Sequence, residues 1–262
     1  MTTTTWLARA VAAVALCCAA PGAATGTPRI AIIIDDVGHG RQVGERVIAL
    51  PGPVACAILP GAPQARALAR QAQVYRKEVL VHLPMEAANH RGGTEPDSLS
   101  LDMDRAALVA ALDVALAALP QAIGVSNHRG SLLTRHPVHM EWLMQALDAR
   151  ETLFFVDSYT THHSVALQIA AENGVRAVRR DVFLDSNPSP ERVREEFERL
   201  KRLARERGSA IAIGHPHDVT LAFLEAELPR LADAGIRLVP LSEIVSNSPV
   251  PAYSNAAGAA LD

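Results

Sequence analysis

The chain has 262 residues, 49% apolar and 20% charged, a balance that supports a buried core and excludes wholesale disorder. Net charge is −3 and the isoelectric point is near 6.4, so no basic field is present to hold nucleic acid or an anionic membrane surface. Aromatics make only 4% of the chain while histidines number ten, an imbalance that calls for a cause.

In chain order, Arg9 precedes an unbroken apolar run, AVAAVALCCAA at 10–20, followed by the small residues Gly22, Ala23 and Ala24. That is the form of a secretory signal peptide over residues 1–24, too short to span a bilayer. Export across an inner membrane to the periplasm is the expectation, with no stable membrane span after cleavage. Cleavage leaves Cys56 alone, so no intramolecular disulfide can form.

Residues 28–246 are expected to form one domain. Short apolar runs recur as RIAIII (29–34), VACAIL (54–59), EVLVHL (78–83), AIGVS (122–126), TLFFV (152–156), VRAVR (175–179), SAIAIG (209–214) and IRLVP (236–240). Most are continuously apolar, as parallel strands covered on both faces are. Helical stripes separate them: Leu108, Leu112, Ala115 and Leu119 in one segment, Val193, Phe197, Leu200 and Ala204 in another. This alternation predicts an α/β fold, a single distorted (β/α)7–8 barrel, with an open doubly wound sheet as the alternative. Residues 84–100, with Gly92, Gly93 and Pro96, read as a substrate-side loop. The Pro-, Ala- and Ser-rich stretch 247–262 reads as a disordered tail.

In such folds the chemistry sits at the C-terminal strand ends. Here the runs end in Asp35-Asp36, His82, Asn127-His128, Asp157-Ser158 and His215-Pro216-His217, with Asp181 and Asp185 after the sixth. Carboxylate and imidazole gathered on one rim suggest a divalent metal. Strand alternation predicts that Asp35 and Asp36 point to opposite sides, one to a metal and one free as a base. Asn127 could donate to an oxyanion. Asp157 could orient an imidazole. His215 is expected opposite the first strand as a general acid. His217 could bind metal, orient His215 or cap the next helix. His39, His90, His136, His139, His162 and His163 fall in loops, turns and helix starts and read as surface residues.

Taken in order, IIIDDVG, VACAILP, VHLPMEAA, GVSNHRGSLLT, FFVDSYT, DVFLDSN and IGHPH resemble the divergent polysaccharide deacetylase family over residues 28–244. The resemblance implies a distorted β/α barrel and metal-assisted deacetylation of N-acetyl sugars. It makes Asp35 similar to the general base, Asp36 to a metal ligand, His82 to the first metal histidine and His215 to the late catalytic histidine. Ordinary members carry a second histidine four residues after the first; here that position is Glu86. Either Glu86 or His217 fills the gap, or His128 does from its own strand end, which is the favoured reading. The implied function is a Zn²⁺-dependent hydrolase acting on an N-acyl or O-acyl group of a cell-envelope carbohydrate or other small acylated substrate. A binding or scaffold protein that keeps the barrel without turnover is the alternative. With so few aromatic platforms, a short substrate suits the chain better than an extended glycan.

Overall fold

The computed structural model describes residues 26–89 and 97–248. The expected signal peptide, His90, the middle of the 84–100 loop and nearly all of the expected tail lie outside them. Nine strands pair in one sheet among the described residues: β1 (Arg29–Val37), β2 (Ala55–Ile58), β3 (Val79–Met85), β4 (Gly124–Arg129), β5 (Phe154–Asp157), β6 (Ala177–Arg179), β7 (Val182–Phe183), β8 (Ser209–Gly214) and β9 (Arg237–Leu238). Helices alternate with them: α1 (Arg41–Ile48), α2 (Ala65–Val74), α3 (Arg105–Ala118), α4 (Pro137–Asp148), α5 (Ala166–Glu172), α6 (Pro190–Arg207), α7 (Asp218–Glu227) and α8 (Leu241–Asn247). The caps are the ordinary ones. Asp104 accepts from the Ala107 N–H ahead of α3, Ser189 accepts from the Arg192 N–H ahead of α6, and Gly208, at φ +82°, ends α6.

Every ladder is parallel, and the main path runs β6-β5-β4-β3-β2-β1-β8-β7. Its two ends, β6 and β7, are separated in the chain only by Arg180 and Asp181. Two residues cannot cross a flat eight-stranded sheet, so the sheet must curl until its edges meet. At the seam the chain itself crosses, anchored on each side: the Arg180 N–H donates to Asp157 O of β5 at 3.1 Å and the Asp181 N–H to Ile211 O of β8 at 2.9 Å. The result is a curled, incompletely closed β/α barrel, as expected.

Two expectations need correction. The two-residue strand β7 was not anticipated; it is too short to show a hydrophobic period. IRLVP is no stave of the barrel. It forms β9, which pairs with Arg29 and Ile30 of β1, beneath the stretch from Ile33 onward that pairs with β2.

The pleat sorts side chains into two cores. Ile30, Ile32, Ile34, Cys56, Val79, Val81 and Val125 face the helices. Ala31, Ile33, Leu80, Phe154, Val156, Ile211 and Ile213 fill the lumen. Leu241, Ile244 and Val245 of α8 join the lumen cluster and plug its floor. Gly124 is required here, because a Cβ at that position would lie 2.8 Å from the Phe154 ring that fills the lumen. No helix among the described residues is long and apolar enough to cross a membrane.

Candidate metal and acid–base site

The lumen parity carries upward. On β1 it runs Ala31, Ile33, Asp35; on β3, Leu80, His82; on β8, Ile211, Ile213, His215. The same parity on β4 gives Gly124, Ser126, His128. Above the apolar floor each of these four strands therefore presents a polar group inward. Asp35, His82 and Ser126 are all buried.

Asp36 does not obey the alternation. The β1–β2 register shifts between Ile34 and Val37, and Asp36 adopts φ +55°. This bulge turns both carboxylates to the same imidazole, correcting the expectation of opposite faces. His82 Nε2 lies 3.1 Å from Asp36 Oδ1 and 3.5 Å from Asp35 Oδ2. His128 Nδ1 lies 2.8 Å from the same Asp36 Oδ1. Asp36 Oδ1 is buried yet has no aligned hydrogen bond from either ring. Three possible ligand atoms crowd together with no aligned hydrogen bond to this oxygen, a spacing that suits a common metal centre. The other nitrogen of His82, Nδ1, is 2.8 Å from Ser126 Oγ, across the register pair of β3 and β4. A proton on Nδ1 donated to that hydroxyl leaves Nε2 with a free lone pair.

The remaining candidates are placed plainly. Glu86 Oε2 accepts the Leu101 N–H at 2.8 Å, so this carboxylate is committed to the loop that follows. His217 occupies the N-cap position of α7 without a side-chain cap bond and is exposed. Asn127 is fully buried; its Nδ2 donates to Arg129 O and its Oδ1 accepts the Ser158 N–H, both at 2.8 Å. It ties the tops of β4 and β5 together, so the expected oxyanion donor is instead a bracket. Asp157 pairs with Arg179, its register partner on β6, at 3.2 Å, and accepts the Tyr159 N–H. Both stand on the outer parity of their strands, which is why Asp157 cannot orient an imidazole in the lumen.

That task falls to Asp185. His215 stands beside the aspartate pair, not opposite it, because β8 is the ladder neighbour of β1. Its Nδ1 lies 2.9 Å from Asp185 Oδ1, and its Nε2 points back to Asp36 Oδ2 at 3.8 Å. Asp185 Oδ2 also accepts the His215 N–H and the Thr220 hydroxyl. Roles for Ser126 and Ser158 were not expected, and Asp185 was read only as a carboxylate on the rim, not as the partner of His215. The lumen parity marks the two serines; Asp185 comes from the irregular segment after β7, where no period points to it.

Burial pushes the Asp35 carboxyl above its ordinary range, and the nearby imidazoles offset only part of this. The Ser158 hydroxyl is 3.5 Å from Asp35 Oδ2, while Asp35 Oδ1 is buried without a partner. Burial also opposes ionisation of Asp36, but His128 and His82 beside it outweigh that and hold it well below the carboxylate range. For His215, burial disfavours the cation, yet the Asp185 bond and the charges of Asp35, Asp185 and Asp36 prevail and raise its pKa. Asp35 and His215 thus stand on neighbouring strands with proton affinities both raised, beside a cluster of candidate ligands.

A parallel β/α barrel carrying carboxylates and imidazoles on its C-terminal rim is the class of protein that this geometry defines. Residues 32–245 match the family model for divergent polysaccharide deacetylases, and the chain belongs to that family. An uncharacterized protein of Haemophilus influenzae is 38% identical over 222 residues, covering 85% of this chain and 78% of that one. Among solved structures, an uncharacterized protein of Agrobacterium tumefaciens superposes with a TM-score of 0.80 at 22% identity, covering 86% of this chain and 92% of that one. A family 4 carbohydrate esterase from Streptomyces lividans, in complex with acetate, has the same fold, with a TM-score of 0.50 at 13% identity over 80% of this chain and 91% of that one.

Proposed function

We propose that the chain is a metal-dependent hydrolase that removes an acyl group from the nitrogen or oxygen of a cell-envelope carbohydrate. The observation that carries the reading is the convergence of Asp36 Oδ1, His82 Nε2 and His128 Nδ1, with Asp35 and His215 flanking it. One carboxylate and two imidazoles suit a zinc-class ion, and the orphaned Asp36 Oδ1 fits that use. Such an ion, when bound, supplies Lewis acidity that draws electron density from the acyl oxygen.

The chain's own groups account for the proton traffic. Water adds to the carbonyl carbon, and Asp35 takes the proton it sheds. The carbon–nitrogen or carbon–oxygen bond then breaks, and His215 gives its Nε2 proton to the leaving atom. Asp185 holds the imidazole by Nδ1 so that Nε2 faces the reaction. Products are a carboxylic acid and a free amine or alcohol. The family membership supports the reading, as does the shared fold of the acetate-bound esterase, and the signal-like leader supports a periplasmic setting.

The test is acetate release from N-acetylglucosamine oligomers by the zinc-loaded protein. Release is expected from the parent chain and absent from a folded Asp36→Ala variant. Unchanged turnover in that variant overturns the assignment. A parent chain that takes up no metal and releases no acetate supports instead a barrel kept for binding.

A further inference from the structure

Beside the rim lies a recess of about 260 Å³ between the turn after β1 and the turn after β8. Asp36 and His215 form its inner wall, so it opens directly onto the reacting groups. The rest of its lining is Val37, Val43, Pro216, the glycines at 38, 40 and 44, and the exposed imidazoles of His39 and His217. Gly38, at φ +134°, could not carry a side chain, since its Cβ would come within 2.6 Å of the Ala62 Cβ. Gly40, where a Cβ would lie 3.1 Å from Val43 Cγ1, borders the recess itself.

From this we infer that the recess receives the acyl chain of the substrate, and that the preferred acyl group is longer than acetyl. The inference rests on the hydrolase reading and specifies its substrate. A water's share of liquid volume is about 30 Å³, and a methyl group is of similar size. The recess holds several times that. An acyl carbon placed between Asp36 and His215 has two substituents to direct. The sugar needs polar partners, but beyond Asp36 and His215 the polar side chains here are His39 and His217, both exposed. A run of methylenes matches the valine methyls and the proline ring of the walls.

Two measurements test this on the purified chain. The first compares hydrolysis of 4-methylumbelliferyl acetate and hexanoate by the zinc-loaded protein, parent and Val43→Phe. The hexanoate-to-acetate ratio of kcat/KM is expected to exceed about ten in the parent and to fall at least about tenfold in the variant. The second needs neither metal nor turnover: hexanoate is titrated into valine-methyl-labelled parent protein. Val37 and Val43 resonances are expected to shift with hexanoate and not with equimolar acetate, a result independent of whether the variant folds. Equal rates or a preference for acetate overturn the inference, as do unmoved valine methyls. If neither ester is cleaved yet hexanoate moves the valines, the recess stands as an alkyl site and hydrolysis is what fails.

Discussion

Two clusters on one rim have the same composition and opposite bonding. Asp36, His82 and His128 form one; Asp185, His215 and His217 form the other, and each brings its possible ligand atoms within 4.8 Å of one another. In the first, a carboxylate oxygen lies close to two ring nitrogens with no aligned bond to either. In the second, both oxygens of the carboxylate are already used, by the His215 ring, the His215 N–H and the Thr220 hydroxyl. A cation would complete the first cluster and would have to break hydrogen bonds in the second. Residue type alone does not separate a ligand set from an orienting pair; what each oxygen already touches does.

The sharpest way to break this comparison is metal titration. The parent chain is expected to bind a single zinc ion, and His82→Ala to abolish that binding, as read by equilibrium dialysis with elemental analysis. A second ion lost on replacing Asp185 would erase the distinction between the clusters. Next in size, Asp185→Asn should keep the zinc while turnover falls about a hundredfold or more, because the imidazole loses the partner that directs it. Loss of zinc in that variant would contradict the division of labour. A smaller effect is expected from Ser126→Ala. Zinc affinity should weaken about 10- to 100-fold in competition with a chelator, since His82 loses the hydroxyl that fixes its proton.

The smallest effect concerns the zinc-free chain. His215 is raised above its unfolded value of about 6.5, so its contribution to stability is complete below that pH and lost as pH climbs through the folded pKa. Asp185 is lowered, so its contribution is present above about pH 3.9 and lost as pH falls through its depressed pKa. The pair therefore stabilises most between about pH 4 and 6.5. Thermal midpoints of Asp185→Asn should show a flatter pH dependence than the parent on both sides of that window.

The barrel was legible because parallel strands buried on both faces read as apolar runs, and because strand ends concentrated Asp and His. Lumen parity was legible too: counting by twos from Ala31 and Ile33 reaches Asp35, and from Ile211 reaches His215. The same count places Asp157 and Asn127 on the wrong face, and their expected roles ignored it. What no pattern could show was the bulge after Ile34, since a register shift belongs to a pair of strands and not to either sequence. The role of Asp185 was hidden for a related reason. It follows a two-residue strand too short to show a period, and it meets His215 because β7 is the ladder neighbour of β8.

The bulge has a consequence for how this protein can evolve. Asp36 is held in a left-handed backbone conformation that costs a residue other than glycine about 1–3 kcal/mol. It is also set beside a second buried carboxylate. Glycine at this position would release the twist and remove one of the two charges. The same change would take from His82 and His128 the carboxylate that faces them, so relief of strain and loss of favourable charge meet at one residue.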